Sequence, residues 1–300
     1  MTSLKLGTRG SPLALVQANM VKDALAAAHG VACEIVIIRT TGDRVQDRAL
    51  AEIGGKALWT KELDRALLGG EIDMAVHSMK DVETIRPAEI AIAAMLERAD
   101  VRDRLVGADS LAAIREGGVV GTSSPRRSAQ VRRARPDLSV VLFRGNVDTR
   151  LAKLAAGEAD ATLLAAAGLE RLGRVDVGTP VEIAEMLPAP AQGAVGIECR
   201  ANDSAALALL AAIDHADTSR AVRCERALLA ALEATCHSPV AALATIDGDT
   251  IILRAELFSE DGAEHIAADA SGVDGEALAR DLAAALLDRA PPSVRGGFGG

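Results

Sequence analysis

Two pairs of short motifs recur in the same order along the first part of the chain, and together they predict its fold. Gly7-Thr8-Arg9-Gly10-Ser11-Pro12 has a counterpart in Gly121-Thr122-Ser123-Ser124-Pro125. In both places a short apolar strand comes before the glycine, and a helix begins at the proline with serine as its N-cap. Further along, Gly70-Glu71-Ile72-Asp73 and Gly157-Glu158-Ala159-Asp160 each precede another apolar strand. This order predicts two related α/β lobes.

The last part of the chain follows a different plan. A helical stretch from Thr218 to Glu233 is followed by a polar loop, by alternating apolar segments around Ile251 to Leu257, and by a helix from about Gly275 to Arg289. We expect a small α+β domain there, ending in a frayed tail from Pro291 to Gly300. The predicted architecture is therefore two α/β lobes and a small C-terminal α+β domain.

Composition excludes several classes of protein. Three Phe, one Trp and no Tyr in 300 residues require an aliphatic core and leave almost no aromatic surface on which nucleic-acid bases could stack. A formal net charge of −9 also argues against a general binder of nucleic acids. No apolar run approaches the roughly 18 residues that a membrane span needs, and the N-terminus lacks the plan of a signal peptide.

Cysteine and histidine spacing points to a reduced protein without a metal site. Cys33, Cys199, Cys224 and Cys236 form no CxxC motif, and the five histidines show no metal-ligand spacing. Because disulfide frameworks belong to oxidising compartments, we expect a cytoplasmic protein with free thiols.

Positive charge is concentrated in the segment from Gly121 to Lys153. Eight Arg and Lys residues there face only two Asp residues. Arg126 and Arg127 occupy the first turn of the helix after Ser124, where the helix dipole already places partial positive charge. A ligand anion is therefore expected beside these two arginines.

Other arginines lie at comparable places. Arg9, Arg144 and Arg150 lie at strand-to-helix turns, which line the ligand crevice of open α/β sheets. Arginine binds carboxylates through paired hydrogen bonds and stays charged. Because neither GxxxxGK[ST] nor GxGxxG follows a strand here, the arginines favour a ligand with several carboxylates over a nucleotide.

A carboxylate that could take part in chemistry lies at another strand end. His77-Ser78-Met79-Lys80-Asp81-Val82 directly follows an apolar strand. Lys80 and Asp81 could form an ordinary solvated ion pair. In a crevice lined with arginines, Asp81 would instead stay ionised, accept an N–H and stabilise positive charge that develops on a ligand.

The ordered set of motifs resembles the porphobilinogen deaminase family, whose members are also called hydroxymethylbilane synthases. The resemblance runs from about Leu4 to Val240 and is carried by Leu6 to Leu15, Gly54-Gly55-Lys56, His77 to Val82, Gly121 to Arg127, Arg144 to Val147 and Gln192-Gly193-Ala194. It implies a transferase of tetrapyrrole and haem biosynthesis. Such an enzyme joins four porphobilinogen molecules head to tail, with loss of ammonia, on a covalent dipyrromethane primer, and then hydrolyses off hydroxymethylbilane.

The resemblance also implies the fold and the site residues. We expect two periplasmic-binding-protein-like lobes, residues 1–96 with 194–213 and residues 97–193, and a third domain at 214–300. Cys236 would carry dipyrromethane through a thioether, and Asp81 would be the catalytic group that binds pyrrole N–H groups. The other cofactor-binding residues would be Lys80, Ser124, Arg126, Arg127 and Arg150. The substrate carboxylates would be bound by Arg9, Ser11 and Arg144, with Arg171 as a further candidate.

This chain departs from the family pattern in three places. Ala234-Thr235 stands where members often have Gly-Gly before the attachment cysteine, Glu83 stands where proline is common, and Trp59 where many members have Phe. Asp43 to Lys56 resembles a mobile flap. His237, next to Cys236, could activate the thiol as a base, but a neighbour without a catalytic role is the favoured interpretation.

One alternative comes from a different class of protein. Two α/β lobes with arginines at strand ends also describe anion-binding proteins that catalyse nothing. The missing signal peptide and the Cys236 loop argue against that function. We expect a monomer that takes porphobilinogen as substrate, binds neither nucleic acid nor membranes, and passes its product to uroporphyrinogen-III synthase.

Overall fold

The computed structural model of the chain describes residues 3–39 and 60–298, and the strands in these ranges form three sheets. The flap expected at Asp43 to Lys56 and the side chain of Trp59 lie outside the described residues. Among residues 3–39 and 60–298, no helix combines the length and the apolarity that a membrane span requires.

The first lobe is built on a mixed five-stranded sheet. Across the sheet the strands are β2 (Cys33–Ile37), β1 (Leu4–Thr8), β3 (Met74–Ser78), β10 (Val195–Arg200) and β4 (Ile90–Met95). The helices that pack on this sheet are α1 (Pro12–His29), α2 (Lys61–Leu68) and α6 (Ser204–Ala211). Because β10 comes from much later in the chain than its neighbours, the chain leaves this lobe and returns to it.

The second lobe is built on another five-stranded sheet. Its strands, in spatial order, are β7 (Ser139–Val141), β6 (Val119–Gly121), β8 (Ala161–Ala165), β5 (Asp103–Val106) and β9 (Thr179–Pro180). The helices of this lobe are α3 (Pro125–Ala134), α4 (Val147–Ala155) and α5 (Ala166–Arg171).

The two sheets share one plan, which confirms the two lobes predicted from the recurring motifs. In each sheet a strand is parallel to both neighbours: β1 between β2 and β3, and β6 between β7 and β8. The next strand in each sheet, β10 or β5, is antiparallel. Pro12 and Pro125 begin the helices that follow β1 and β6, and serines cap both helices as predicted.

Gly7 and Gly121, the first residues of the recurring motif, lie at matching places in the two sheets. A side-chain carbon added at Gly7 would lie 2.2 Å from the Ile72 side chain, and one at Gly121 would lie 2.4 Å from the Phe143 ring. Both distances are far inside van der Waals contact. At Gly121 three carbons of the rigid, buried Phe143 ring lie within 2.7 Å of the added carbon, so glycine is required there. At Gly7 the closest atom is the terminal methyl of Ile72, which would have to shift to make room for a side chain.

The C-terminal unit is an antiparallel sheet covered by helices, as predicted. Its strands are β11 (Val240–Asp247), β12 (Thr250–Phe258) and β13 (His265–Gly272), and its helices are α7 (Ala216–Ala231), α8 (Gly275–Arg289) and α9 (Pro292–Arg295). The prediction of a frayed tail from Pro291 is wrong for the described part of that segment. Val294 and Phe298 are buried in the core of this unit, and the burial of these apolar side chains holds the segment in place.

Each of the three units has its own core, and the cores are aliphatic as the composition predicted. Leu, Ile, Val, Ala and Met dominate all three clusters. Cys33, Cys199 and Cys224 are buried among them, in β2, β10 and α7 respectively. These three cysteines therefore act as small core residues.

Glu225 of α7 joins the three units. Its fully buried carboxylate accepts hydrogen bonds from Arg98 at 2.7 and 3.0 Å, from the Ala191 amide at 2.5 Å and from the Ala244 amide at 2.8 Å. Arg98 and Ala191 belong to the two segments that connect the lobes, and Ala244 lies in β11. Ala191 has a positive φ of 62°, which is costly for a residue other than glycine, and Glu225 holds its amide in that conformation.

Candidate active site

A cleft opens in the first lobe beside the ends of β1 and β3. Arg9 and Ser11, which follow β1, line the cleft together with Ser78 and Asp81, which end and follow β3. Because the C-terminal ends of parallel strands meet at one edge of a sheet, the loops after these two strands converge there. Gln17 of α1 donates to Ser78 Oγ at 2.8 Å and so joins the two sides of the cleft floor.

Asp81 presents its carboxylate at the wall of this cleft. It ends one turn of 3-10 helix, Met79–Asp81, and the residues on either side of Lys80 and Asp81, Met79 and Val82, are buried. The Met79 amide donates to the Ala194 carbonyl at 3.1 Å, which ties the turn to the segment before β10. Within the described ranges no side chain or amide donates a hydrogen bond to the Asp81 carboxylate. Both of its oxygens can therefore accept N–H groups from a ligand.

Arg126 and Arg127 are buried at the start of α3 and share one buried carboxylate. Arg126 Nη2 lies 2.8 Å from Asp103 Oδ2, and Arg127 Nη2 lies 2.6 Å from Asp103 Oδ1. Burial alone would raise the pKa of Asp103, but the two guanidinium groups hold it well below its usual range. Arg126 and Arg127, beside which the sequence predicts a ligand anion, thus already have one counter-ion within the protein.

The same two guanidinium groups keep further donors. Arg126 Nη1 donates to Gln130 and to the Leu187 carbonyl, and Arg127 Nη1 donates to the Leu163 carbonyl. The Nε atoms of both arginines are buried and have no hydrogen-bond partner in the described part of the chain. Because buried N–H groups are rarely left unpaired, these donors suit a ligand carboxylate.

Lys80 belongs to the same group of charges. Its Nζ donates to Gln192 Oε1 at 3.2 Å, and Gln192 Nε2 in turn donates to Asp103 Oδ1 at 2.8 Å. Burial and the positive charge of Arg127 lower the pKa of Lys80 to about 8, although Asp81 and Asp103 act in the opposite direction. The negative charge of an anionic ligand would oppose the effect of Arg127 and favour the ammonium form.

Arg150 of α4 also lies among these charges. Its Nη2 donates to Ser123 Oγ at 3.3 Å, close to the start of α3. Burial and the positive charges of Arg127 and Arg144 lower the pKa of Arg150 to about 10, whereas Asp81 raises it. These effects indicate that Arg150 lies near Asp81 of the first lobe as well as near Arg127 and Arg144 of the second.

The two predicted serines use their hydroxyl oxygens as helix caps. Ser11 Oγ accepts the Ala14 amide at 3.3 Å, and Ser124 Oγ accepts the Arg127 amide at 3.4 Å. Each hydroxyl retains its own proton, which it can donate to a carboxylate at the positive end of the helix.

The predicted substrate arginines are not all in one place. Arg9 lines the cleft with Asp81, and Arg144 is buried in the loop before α4, where its charge lowers the pKa of Arg150 and of His237. Arg171 ends α5, and its Nη2 donates to the Gly193 carbonyl at 2.7 Å. Burial lowers the pKa of Arg171, and Glu170, rather than any predicted site residue, opposes that effect.

The loop that carries Cys236 is tied to the segment after Asp81. The Thr84 hydroxyl donates to the Ala234 carbonyl at 2.7 Å. Buried Arg226 of α7 donates to the three carbonyls of residues 82–84 at 2.7 to 3.3 Å. These hydrogen bonds hold the predicted attachment loop against the predicted catalytic turn.

Cys236 differs from the other cysteines because it is exposed. Its sulfur is nevertheless partly enclosed by protein, and this burial together with the negative charges of Asp81 and Glu83 raises the pKa of Cys236 to about 12. The thiol is therefore neutral at physiological pH. The effect of Asp81 on this thiol also requires the predicted catalytic and attachment residues to be neighbours.

The structure accounts for two of the departures from the family pattern. Positive φ occurs at Glu233, at 51°, and not at Ala234 or Thr235, so the loop does not need glycine at those two positions. The Glu83 carboxylate accepts hydrogen bonds from the Thr60 hydroxyl at 2.5 Å and from Arg86 at 3.2 Å.

His237 lies beside Arg144 rather than in a hydrogen bond with the thiol. Burial and the charge of Arg144 lower the pKa of His237, and its backbone amide donates to Thr235 Oγ1 at 3.2 Å. No hydrogen bond joins the His237 ring to Cys236 within residues 3–39 and 60–298. This geometry fits the favoured interpretation of a neighbour without a catalytic role.

Sequence reasoning missed Asp103 and Gln192 as parts of the site. The excess of positive charge between Gly121 and Lys153 indicates that a counter-ion is needed. No sequence pattern near Asp103 distinguishes it from the other acidic residues outside that segment. Gln192 lies in the Gln192-Gly193-Ala194 motif, but the motif alone gives it no role.

A buried ion cluster supports the strand that leads to Asp81. Glu198 of β10 lies between His77 and Arg86: its Oε2 is 3.1 Å from His77 Nε2, an ion-pair distance, and its Oε1 accepts from Arg86 Nε at 2.7 Å. Burial alone would raise the pKa of Glu198, but His77 and Arg86 lower it to about 2.

We expect this cluster to make the folded protein sensitive to acid. The folded-state pKa of Glu198 is depressed below its ordinary 4.5, so its stabilisation is present above that pH and is lost as the pH falls toward 2. The shift corresponds to about 3 kcal/mol of unfolding free energy. Denaturant titrations should show that Glu198→Gln costs more stability at about pH 6 than at about pH 3. Glu71→Gln, at an exposed pair with Arg65, is the control; equal losses for Glu198→Gln at both pH values would contradict the prediction.

Comparison with known proteins identifies close relatives of the chain. A family model described as porphobilinogen deaminase, dipyrromethane cofactor binding domain, matches residues 4–208, and one described as porphobilinogen deaminase, C-terminal domain, matches residues 219–288. The porphobilinogen deaminase of Sphingopyxis alaskensis is 62% identical over 301 residues, covering 97% of this chain and 95% of that protein. The porphobilinogen deaminase of Paracoccus denitrificans is 52% identical over 296 residues, covering 96% and 95%.

Similarity to solved structures is much weaker. An ABC-transporter periplasmic substrate-binding protein from Coxiella burnetii aligns with a TM-score of 0.44 and 14% identity, over 70% of this chain and 91% of that one. A likeness of this degree carries no conclusion about function.

Proposed function

The chain belongs to the porphobilinogen deaminase family, and we propose that Asp81 is its catalytic group and Cys236 the residue that carries its cofactor. The chain is a transferase of tetrapyrrole biosynthesis that joins porphobilinogen molecules with loss of ammonia and uses a dipyrromethane cofactor. An anion-binding protein without catalysis is not favoured by these matches.

The residues around Asp103 fit a ligand that carries several carboxylates. Lys80, Arg126 and Arg127 place three positive charges around the one carboxylate of Asp103, and two buried Nε donors have no partner in the described part of the chain. Dipyrromethane, which bears acetate and propionate groups, would supply carboxylates to these donors and the pyrrole carbon on which the product chain grows. Arg150 and Ser124, near the same helix start, would bind further carboxylate oxygens.

Asp81 would act on the pyrrole nitrogen. Its carboxylate faces the cleft and has no hydrogen-bond donor among residues 3–39 and 60–298, so it can accept pyrrole N–H groups. Loss of ammonia from porphobilinogen leaves positive charge on the pyrrole nitrogen. A fixed carboxylate next to that nitrogen stabilises the charge more in the transition state than in the ground state, which lowers the barrier.

Arg9, Ser11 and Arg144 would bind the carboxylates of the incoming porphobilinogen. Arg9 and Ser11 line the cleft with Asp81, and Arg144 lies close enough to Arg150 and His237 to change their pKa values. Arg171, tied to the Gly193 carbonyl, is a weaker candidate for the same role.

We expect Arg144→Leu to raise the KM for porphobilinogen while the cofactor stays attached. Losing a charge-assisted hydrogen bond of 1.5–3 kcal/mol predicts a rise of roughly tenfold to a hundredfold. Steady-state kinetics give KM, and the intact mass of the same sample reports the cofactor. Arg133→Leu, at an exposed position on α3, is the matched control. An unchanged KM in Arg144→Leu would show that Arg144 does not bind the substrate.

The observation that carries the proposed function is the exposed thiol of Cys236, in a loop that a hydrogen bond from Thr84 to Ala234 ties to the segment after Asp81. The direct test is to incubate the purified chain with porphobilinogen and to measure ammonia and the linear tetrapyrrole. The enzyme should release about one ammonia for each porphobilinogen consumed. A protein that binds porphobilinogen without releasing ammonia would be the anion-binding alternative.

Three finer features belong to the same proposal. The domains are residues 1–96 with 194–213, 97–193 and 214–300, an assignment supported by the three sheets and their separate cores. The enzyme is a cytoplasmic monomer, in line with its free cysteines. Its product passes to uroporphyrinogen-III synthase.

A further inference from the structure

We propose that Asp103, acting with Gln192, is a positioning residue that orients the cationic group for the cofactor carboxylates. This inference rests on the proposed function, because Arg126, Arg127 and Lys80 are the residues assigned to the cofactor. Asp103 is fully buried in the second lobe and is not among the residues that line the cleft. It therefore acts through its neighbours and not by contact with the ligand.

Asp103 orients the two guanidinium groups. A guanidinium has five N–H donors in a fixed plane. Within the described residues, Arg126 uses three of them on Asp103, Gln130 and Leu187, and Arg127 uses two on Asp103 and Leu163. Asp103 accepts a hydrogen bond from one terminal nitrogen of each arginine. It therefore fixes the plane of both guanidinium groups and the direction in which their remaining N–H donors point. Arg127 keeps the larger number of donors for a ligand.

Gln192 extends this arrangement to the first lobe. Its Nε2 donates both to Asp103 Oδ1 and to the Val101 carbonyl, each at 2.8 Å. Since a carboxylate and a carbonyl can only accept, the amide nitrogen must face them, and the amide oxygen must face Lys80. The carboxylate of the second lobe thus determines which atom of Gln192 meets Lys80 in the first lobe.

The negative charge of Asp103 independently supports its role as a positioning residue. The charged groups that act on Lys80 are Arg126 and Arg127, which disfavour its proton, and Asp81 and Asp103, which favour it. Removing the charge of Asp103 takes away one of the two favourable neighbours. Lys80 would then lose its proton at a lower pH, and the site would attract carboxylates less strongly in the neutral range.

The test compares cofactor loading in Asp103→Asn and in wild type. The chain is purified as the apoprotein, incubated with porphobilinogen across a range of pH, and its intact mass is measured under denaturing, reducing conditions. We expect the rate of adduct formation at about pH 7.5 to fall on the order of a hundredfold, as for a displaced catalytic group. We also expect the pH above which loading fails to move lower in Asp103→Asn. A loss of folding stability alone would not move that pH.

Asp100→Asn is the matched control, because Asp100 lies three residues before Asp103 and forms a half-buried pair with Arg102. It should load at the wild-type rate. If Asp103→Asn does not fold, Gln192→Leu decides the question, because it removes the Oε1 acceptor of Lys80 and leaves Asp103 on both arginines. Loss of that acceptor disfavours the ammonium form of Lys80, so the pH above which loading fails is again expected to move lower. Wild-type loading and pH dependence in Asp103→Asn, or in Gln192→Leu, would overturn the inference. A wild-type chain that gains no adduct would overturn the proposed function and this inference with it.

Discussion

Replacing Asp81 by alanine should lower the turnover of porphobilinogen by at least ~10²–10³-fold, the usual cost of removing one preorganised partner of a developing charge. The structure makes this carboxylate difficult to replace. It faces the cleft at the end of a short turn whose neighbours, Met79 and Val82, are buried, and the described residues offer its oxygens no competing donor. Asp81→Asn, which keeps the size but not the charge, should lose nearly as much activity, because an amide cannot stabilise a pyrrole cation.

The measurement is the rate of ammonia release by enzyme whose cofactor content has been checked by intact mass. Normalising to the cofactor-bearing fraction separates a slow reaction from poor loading, since Asp81 also contributes to the electrostatics of Lys80, Arg150 and Cys236. Asp23→Asn, at an exposed site on α1 in the same lobe, controls for the loss of one negative charge. Turnover of Asp81→Ala within about tenfold of wild type would show that Asp81 is not the catalytic group.

The lobes could be predicted because their signals are local. A proline at the first helical position, a serine cap before it and a glycine with no room for a side chain each act within a few residues. The sequence shows all of these directly. Their recurrence in the same order was therefore sufficient to predict two related sheets before any strand pairing was known.

The surroundings of the arginines could not be predicted in the same way. Asp103 begins β5, which lies between β8 and β9 in the sheet, so its contact with the start of α3 depends on strand order rather than on sequence spacing. The sequence showed excess positive charge and predicted a ligand anion beside Arg126 and Arg127, where the structure shows the protein carboxylate of Asp103. It could not show that part of this anionic charge is supplied by the protein itself.

The attachment loop illustrates the same limit. The sequence singled out Cys236 from four cysteines through its polar loop and the family resemblance, and the structure shows that it is the exposed one of the four. The contacts that hold the loop near Asp81 come from Thr84 and Arg226, which lie 150 residues from Ala234 and about 143 residues from Glu83 respectively. Contacts over such separations are invisible to local patterns.

Replacing Cys236 by serine should abolish covalent attachment of the cofactor and, with it, turnover. Serine has nearly the same shape, but its hydroxyl is a far weaker nucleophile than a thiol, so no stable adduct should form. Intact mass under denaturing, reducing conditions should show wild-type protein heavier by two pyrrole units, an excess that a thiol reductant cannot remove because a thioether is not a disulfide. Cys236→Ser should have its unmodified mass.

The control for this experiment is Cys33→Ala, which removes a buried thiol from β2 and should leave the adduct in place. The high pKa of Cys236, about 12, adds a second expectation. Loading of the apoprotein should speed up as the pH rises toward that value, because only the thiolate attacks readily, until deprotonation of Lys80 near pH 8 weakens carboxylate binding. A maximum of loading near pH 8 would support both assignments. An adduct that persists in Cys236→Ser would place the attachment on another residue and remove the main support for the proposed site.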